Sequence, residues 1–389
     1  MSTKKENVKF LKFARMILSK MGVLPENGKR INVKTFIKTI VCFLIFGTPI
    51  FVGMLGDIYQ GFQLHEKDDV MNAVIRDFVF FDVLLMFSCS IVLYCFRKGD
   101  IPILFSSFDT NKYGRPKHFT SFVQKWEKIS VLICLCNLIG SCSLILRYHL
   151  SDLECLTQKK SIDKRFVCNK LCPFWFPIEI AYIDEILLTC YVILFGFYSP
   201  TIIVVVCYIG ISQIIALKIQ HLIDLLKRLN FQEKNEKKIR KQFNFCIDYY
   251  NEISENTQQL NTTFGFFLSP TQNGLMMMYV GIQQYMAFVS NDPRIWFQIF
   301  FGLVIEYSFC RAGQNLEDVS EELSNTIYNL PWYDMDLPMK VKIQMFLLRS
   351  QKIFQLEISP YLIMNMNYFH KFMKGLFSFI MFLRNVKSQ

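Results

Sequence analysis

Residues Ile358–Val386 read ISPYLIMNMNYFHKFMKGLFSFIMFLRNV, a run long enough to cross a membrane as a helix. It carries Asn367, Lys371, Lys374, Ser378 and Asn385 at steps of four, three, four and seven residues, which places all of these polar groups on one helical face. Unpaired amide and ammonium groups are costly in hydrocarbon, so the face is expected to meet protein or water rather than lipid. A water-lined terminal helix suggests a protein that moves something across the membrane.

The composition agrees. The 389 residues are 52% hydrophobic and 15% aromatic, with 39 Phe, and mean hydropathy is positive despite 43 Lys and Arg. This describes a polytopic membrane protein. Apolar runs near Phe36–Tyr59, Phe78–Phe96, Ile129–Leu146, Ile186–Ile211, Phe264–Val289, Ile295–Phe309 with its flanks, and Ile358–Leu383 predict seven spans. Asn137, Ser141 and Ser143 interrupt the third, and Glu306 the sixth.

Lys and Arg beside spans stay in the cytoplasm. Ten precede the first span, and the second, fourth and sixth connections hold seven, eight and five, against nine in the intervening connections. The N-terminus is therefore expected inside and the C-terminus outside, and the +11 net charge is a topological signature. No soluble basic domain accompanies it, so nucleic acid is not expected as a partner. The basic stretch from Met1 to Lys38 lacks an early apolar core, and span one is expected to serve as an uncleaved insertion signal.

Thirteen cysteines are scattered, mostly in spans, where a buried thiol serves as a small apolar filler. Cys155, Cys168 and Cys172 fall in the outer connection between spans three and four, where a disulfide could clip the loop. Any two could pair, leaving one thiol over. The five histidines are dispersed, so no metal site is expected.

The chain divides into a cytoplasmic segment 1–38, spans one to four over 39–217, a helical connection 218–263, spans five and six over 264–310, a cytoplasmic anchor segment 311–357, and span seven with the C-terminus over 358–389. In the fourth connection Ile219, Leu222, Ile223, Leu226 and Leu229 keep helical spacing beyond span four, so helices are expected to project into the cytoplasm and meet there. A second amphipathic helix is predicted over Pro338–Phe354, with Val341, Met345, Leu348 and Lys352 down one side and Asp336 as its cap.

No phosphate loop, zinc-protease pair or nucleophile elbow occurs, so no enzyme and no cofactor are expected. The sequon Asn261-Thr262-Thr263 lies on the predicted cytoplasmic side and should be unused. A G-protein-coupled receptor would have its N-terminus outside and an acidic-Arg-aromatic motif ending span three inside. The nearest match, Leu146-Arg147-Tyr148, lacks the acid and falls outside, and span seven has no Asn-Pro-x-x-Tyr.

From Cys310 onward a more specific pattern runs. It comprises Cys310-Arg311-Ala312-Gly313-Gln314, Val319-Ser320-Glu321-Glu322, Ile327-Tyr328-Asn329-Leu330-Pro331-Trp332-Tyr333, Met345-Phe346-Leu347-Leu348-Arg349-Ser350-Gln351-Lys352, and Ser378-Phe379-Ile380-Met381-Phe382-Leu383-Arg384. In this order the blocks resemble insect odorant receptors of the ligand-specific class. The detailed match covers about a fifth of the chain, while length, span count and inverted topology match along the rest. Gustatory receptors close with a Thr-Tyr run ending in Gln-Phe, which is absent here, and the shared odorant co-receptor has a much longer fourth connection. A transporter would show repeat-related halves with broken helices, and no repeat is visible.

The resemblance implies an all-α, seven-transmembrane helical bundle with a cytoplasmic helical anchor. Such receptors are ligand-gated, non-selective cation channels in the plasma membrane of olfactory sensory neuron dendrites, assembled with the co-receptor as heterotetramers. The last helices line a shared pore. Asn367, Lys371, Lys374, Ser378 and Asn385 would then face the pore, with Met381 or Phe382 as an apolar constriction. Alternatively the stripe packs on polar partners in a closed bundle. Lys371 and Lys374 repel cations, so either they snorkel to the inner interface or the co-receptor supplies most of the conduction surface. Tyr328, Trp332, Tyr333, Leu348 and Arg349 are assigned to assembly, or to packing within one subunit.

A pocket for a small volatile odorant is expected among the outer halves of spans two to six. Its candidates are Phe78, Phe81 and Leu85 in span two, Gly140, Ser141, Leu144 and Tyr148 in three, Tyr191 and Phe195 in four, and Met278, Ile282, Tyr285 and Met286 in five. An aromatic cage with few polar groups suits a weakly polar ligand held by buried area. Asp82 and Glu306 either tie helices together or bias gating.

Overall fold

The fold is taken from a computed structural model that describes residues 11–20, 33–64, 85, 100–109, 112–148, 156–157, 163–168, 174–180, 182–229, 236–268, 274–290, 293–359 and 362–388. Most of these are helical. The helices are α1 (Lys12–Lys20), α2 (Val33–Leu64), α3 (Asp100–Asp109), α4 (Phe119–Tyr148), α5 (Ile183–Lys227), α6 (Glu236–Leu268), α7 (Met276–Ser290), α8 (Pro293–Tyr328), α9 (Leu337–Ser350) and α10 (Met366–Ser388). Two small antiparallel hairpins interrupt them. One pairs β1 (Phe166–Val167) with β2 (Phe174–Trp175), and the other pairs β3 (Glu357–Ser359) with β4 (Leu362–Ile363).

Span one lies in α2, span three in α4, span four at the start of α5 and span six in α8. Most of predicted span two lies outside the described residues. At 45 residues α5 is about 67 Å long, twice the bilayer's hydrocarbon thickness of about 30 Å. Its second half therefore needs protein around it. Ile219, Leu222, Ile223 and Leu226 are buried as their spacing predicts, packed in one cluster with Phe243 and Ile253 of α6, Leu316 and Leu323 of α8, and Ile343 and Phe346 of α9. Tyr250 joins α6 to α9 by an edge contact with Phe346 at 5.2 Å and by donating its hydroxyl proton to the Arg349 carbonyl at 2.8 Å. Among the described residues, Ile203–Lys227 is the one helix stretch that passes as a span on length and composition alone, and most of it is buried in protein.

Of span five, expected over Phe264–Val289, the described parts are helical, Phe264–Leu268 at the end of α6 and Met276–Val289 in α7, while residues 269–273 lie outside the described residues. Two expectations need correction. The terminal helix begins at Met366 rather than Ile358, because residues 357–363 form the β3–β4 hairpin. Asn365 marks the true start, its side-chain oxygen accepting the Tyr368 N–H at 3.0 Å.

The predicted helix over Pro338–Phe354 stops at Ser350, and its buried face is Met339, Ile343 and Phe346. Val341, Met345 and Leu348 lie on the exposed face instead. Asp336 holds the expected N-cap position, its carbonyl accepting the Met339 and Lys340 N–H groups at 3.0 Å, but its carboxylate bonds Arg240 of α6 rather than the helix N–H groups.

Candidate functional site

In α10 the two faces separate cleanly. Phe372, Leu376 and Ile380 are buried against Met276, Val280 and Ala287 of α7 and Ile295 and Ile299 of α8. Phe379 and Leu383 close a second contact with the buried Ile282 and Tyr285. The helices sit close, for a Cβ on Gly281 would come within 2.4 Å of the Phe379 ring, and one on Gly375 within 2.7 Å of the Met277 methyl. The opposite face carries Asn367, Lys371, Lys374, Ser378, Met381, Phe382 and Asn385, all exposed on this single chain. The polar stripe thus points away from the protomer's own core.

The root of α10 is fastened to α8. Residues 354–366 form a strap whose Phe354 N–H is accepted by Ser320 Oγ at 2.9 Å and whose Met366 N–H is accepted by Gln314 Oε1 at 3.3 Å. The Glu317 carboxylate accepts from Gln355 Nε2 at 3.1 Å and Asn365 Nδ2 at 3.3 Å. Burial pushes the Glu317 carboxyl above its ordinary range, with the Asn365 and Gln355 bonds opposing. On the far side Asn261 of α6 donates Nδ2 to the Gln355 carbonyl at 2.9 Å. The sequon asparagine is therefore engaged in the strap.

Two glycines admit the strap. A Cβ on Gly313 would stand 1.7 Å from the Met364 carbonyl oxygen, and one on Gly265 would stand 3.0 Å from the Ile358 carbonyl oxygen. Gly313, Gln314 and Ser320 come from the Cys310 and Val319 sequence blocks. Those blocks are the receptacle for the segment leading into α10.

The pocket candidates distribute unevenly. Phe78 and Phe81 lie outside the described residues, as does Asp82, and Leu85 is exposed. Gly140, Ser141, Leu144 and Tyr148 lie in the last turns of α4, and Tyr191 and Phe195 in α5; their side chains are outside the description. Met278 is exposed, whereas Ile282 and Tyr285 are buried and Met286 half-buried. The structure thus brings Met286 of α7 and Phe379 and Leu383 of α10 against the buried pair Ile282 and Tyr285. Phe379 and Leu383 carry no polar signal and were not singled out by sequence.

In the connection between α4 and α5, the described β2 strand packs against α2. Trp175 of β2 is buried, and a Cβ on Gly56 of α2 would come within 2.0 Å of its carbonyl oxygen. Its indole N–H is accepted by Asp163 at 3.2 Å, while Arg165 lies over its ring at 5.0 Å and bonds Asp163. The Arg165 hydrogen bonds hold the Asp163 carboxyl down at about 2. Cys168 is disulfide-bonded, and Cys155 and Cys172 lie outside the described residues.

Trp332 is half-buried against the core and donates its indole N–H to the Tyr328 carbonyl at 3.2 Å. Tyr328, Tyr333, Leu348 and Arg349 are exposed on this single chain, as are Val341 and Met345 of α9. Groups of His, Cys, Asp or Glu arranged to hold a metal ion are absent among the described residues.

A family model described as 7tm Odorant receptor matches residues 124–377. Odorant receptor 85b of Drosophila melanogaster is 26% identical over 159 residues, a stretch covering 39% of this chain and 40% of that protein. The chain thus spans under half the length of that curated relative. Among solved structures, the insect olfactory receptor OR5 from Machilis hrabei in complex with eugenol superposes with a TM-score of 0.74 at 11% identity. A second structure of the same receptor superposes with a TM-score of 0.70 at 12% identity, and each superposition covers 96% of both chains.

Proposed function

The chain belongs to the seven-transmembrane odorant receptor family, and from that premise we propose that it is the odorant-binding, tuning subunit of a heteromeric ligand-gated cation channel. Its fold is the seven-transmembrane helical bundle of insect olfactory receptors. Its partners are the shared co-receptor, in a tetramer, and a small volatile ligand; its place is the plasma membrane of an olfactory neuron's dendrite.

The observation that carries this reading is the division of α10. Core contacts occupy one face, and the polar stripe beginning at Asn367 is exposed on the other. In an assembly with its axis beside α10, this stripe lines the ion path, and Met381 and Phe382 supply an apolar ring that gates by dewetting. The exposed Leu348 and Tyr333 meet a neighbouring subunit and hold the staves in register.

Ligand energy reaches the stave by direct contact. Ile282 and Tyr285 are pocket candidates, and Phe379 and Leu383 of α10 pack against them. A ligand that binds more tightly when α7 shifts will carry α10 with it. A hundredfold change in open population needs about 2.7 kcal/mol of differential binding, which a small apolar ligand can supply.

Recording from cells that express the chain with and without the co-receptor tests the reading. Odour-evoked current that requires both subunits supports it. Saturable uptake by this chain alone, without current, contradicts it.

A further inference from the structure

Glu306 of α8 is fully buried, and neither of its carboxyl oxygens has a hydrogen-bond partner among the described residues. It lies near the expected inner end of span six, where a carboxyl without a partner is costly and points to a functional role. Two groups lie within its electrostatic reach: Cys310 one turn further along α8, and Tyr368 in the first turn of α10. Ile305 and Leu303 on the same helix pack into the apolar cluster that Tyr368 also joins. Tyr307, the next residue, meets Phe369 edge-on at 5.6 Å. Glu306 therefore faces the foot of the helix that carries the polar stripe, and it does so with its hydrogen-bonding capacity unused.

We propose that Glu306 is a gating residue whose carboxyl bonds the Tyr368 hydroxyl in one pore state and releases it in the other. This rests on the channel reading above. In the conformation described here the bond is unmade. The strap fixes the backbone just before Tyr368 through Asn365 and Gln314, so a small rotation of α10 about its root moves the Tyr368 ring relative to α8. A state in which the hydroxyl reaches the carboxyl gains a hydrogen bond to a group that otherwise has none among the described residues. Glu306 thereby biases the equilibrium between two positions of the stave.

The test is a double-mutant cycle on the odour concentration giving half-maximal current, recorded with the co-receptor and normalised to surface expression. E306Q, E306M, Y368F and E306M/Y368F are compared with wild type. The proposal expects E306M and Y368F each to shift that concentration by about tenfold, E306Q to shift it less, and the double variant to shift it no further than the larger single. Shifts that multiply in the double variant, or an E306M response like wild type, overturn it. If E306M fails to reach the surface, the near-isosteric E306Q, Y368F and E306Q/Y368F form the cycle, in which the double shifting no further than Y368F alone supports the proposal and shifts that multiply overturn it. Absence of any wild-type current would overturn the channel reading and this inference together, whereas a conducting wild type with independent shifts removes only the Glu306 pair.

Discussion

Gly313 of α8 lies so close beneath Met364 that a Cβ there would stand 1.7 Å from the Met364 carbonyl oxygen. That approach seats the strap between α6 and α8 and fixes where the last helix begins. G313A should therefore displace backbone rather than a side chain and cost about 3 kcal/mol of stability. Gly274, with open space at its Cβ position, is the control, and G274A should lie within about 0.5 kcal/mol of wild type. Thermal melting of the detergent-solubilised receptor separates the two.

Asn365 caps α10 and also reaches Glu317. N365A removes both contacts and should cost about 1 kcal/mol or somewhat more. Because the loss falls at the foot of the polar stave, odour sensitivity should change more than the small melting shift alone would suggest. Dose-response curves on cells with matched surface expression check this.

Lys218 of α5 is buried, with its ammonium 3.2 Å from Glu252 of α6 and 4.9 Å over the Phe108 ring. Burial pushes the Lys218 ammonium below its ordinary range, and the Glu252 carboxylate opposes that. E252Q strands the cation and should destabilise by about 3 kcal/mol, while K218M/E252Q, which removes the charge as well, should recover most of the loss. Melting of the three variants is the measurement.

Asp163 has a folded pKa of about 2, below its ordinary value of about 3.9, because Arg165 and the Trp175 indole bond its carboxylate. A depressed carboxyl gives stability that is present above pH of about 4 and is lost as pH falls toward about 2. The outer hairpin should loosen in that window. Hydrogen exchange around Trp175 should show the change in wild type, and D163N should be flat across it.

The two faces of α10 were legible because Asn367 through Asn385 recur at helical steps, and periodicity survives without tertiary information. The strap was not. Its bonds join Gln314 to Met366 and Glu317 to Asn365 across about fifty residues, and their polar side chains have no local pattern. In α9 both Val341-Met345-Leu348 and Met339-Ile343-Phe346 keep helical spacing, so the pattern established an apolar helix but could not say which face the chain buries. Phe379 and Leu383 escaped notice because aliphatic and aromatic residues opposite a polar stripe read as ordinary core. What they touch, Ile282 and Tyr285, gives them their place in the account.

Thiol accessibility at Ser378 tests the pore assignment most directly. With S378C expressed beside the co-receptor, a charged, water-soluble thiol reagent applied during odour exposure should change the current within minutes, while I380C, on the buried face two residues on, should not respond. An unmodified S378C current, or equal modification of S378C and I380C, would contradict the account.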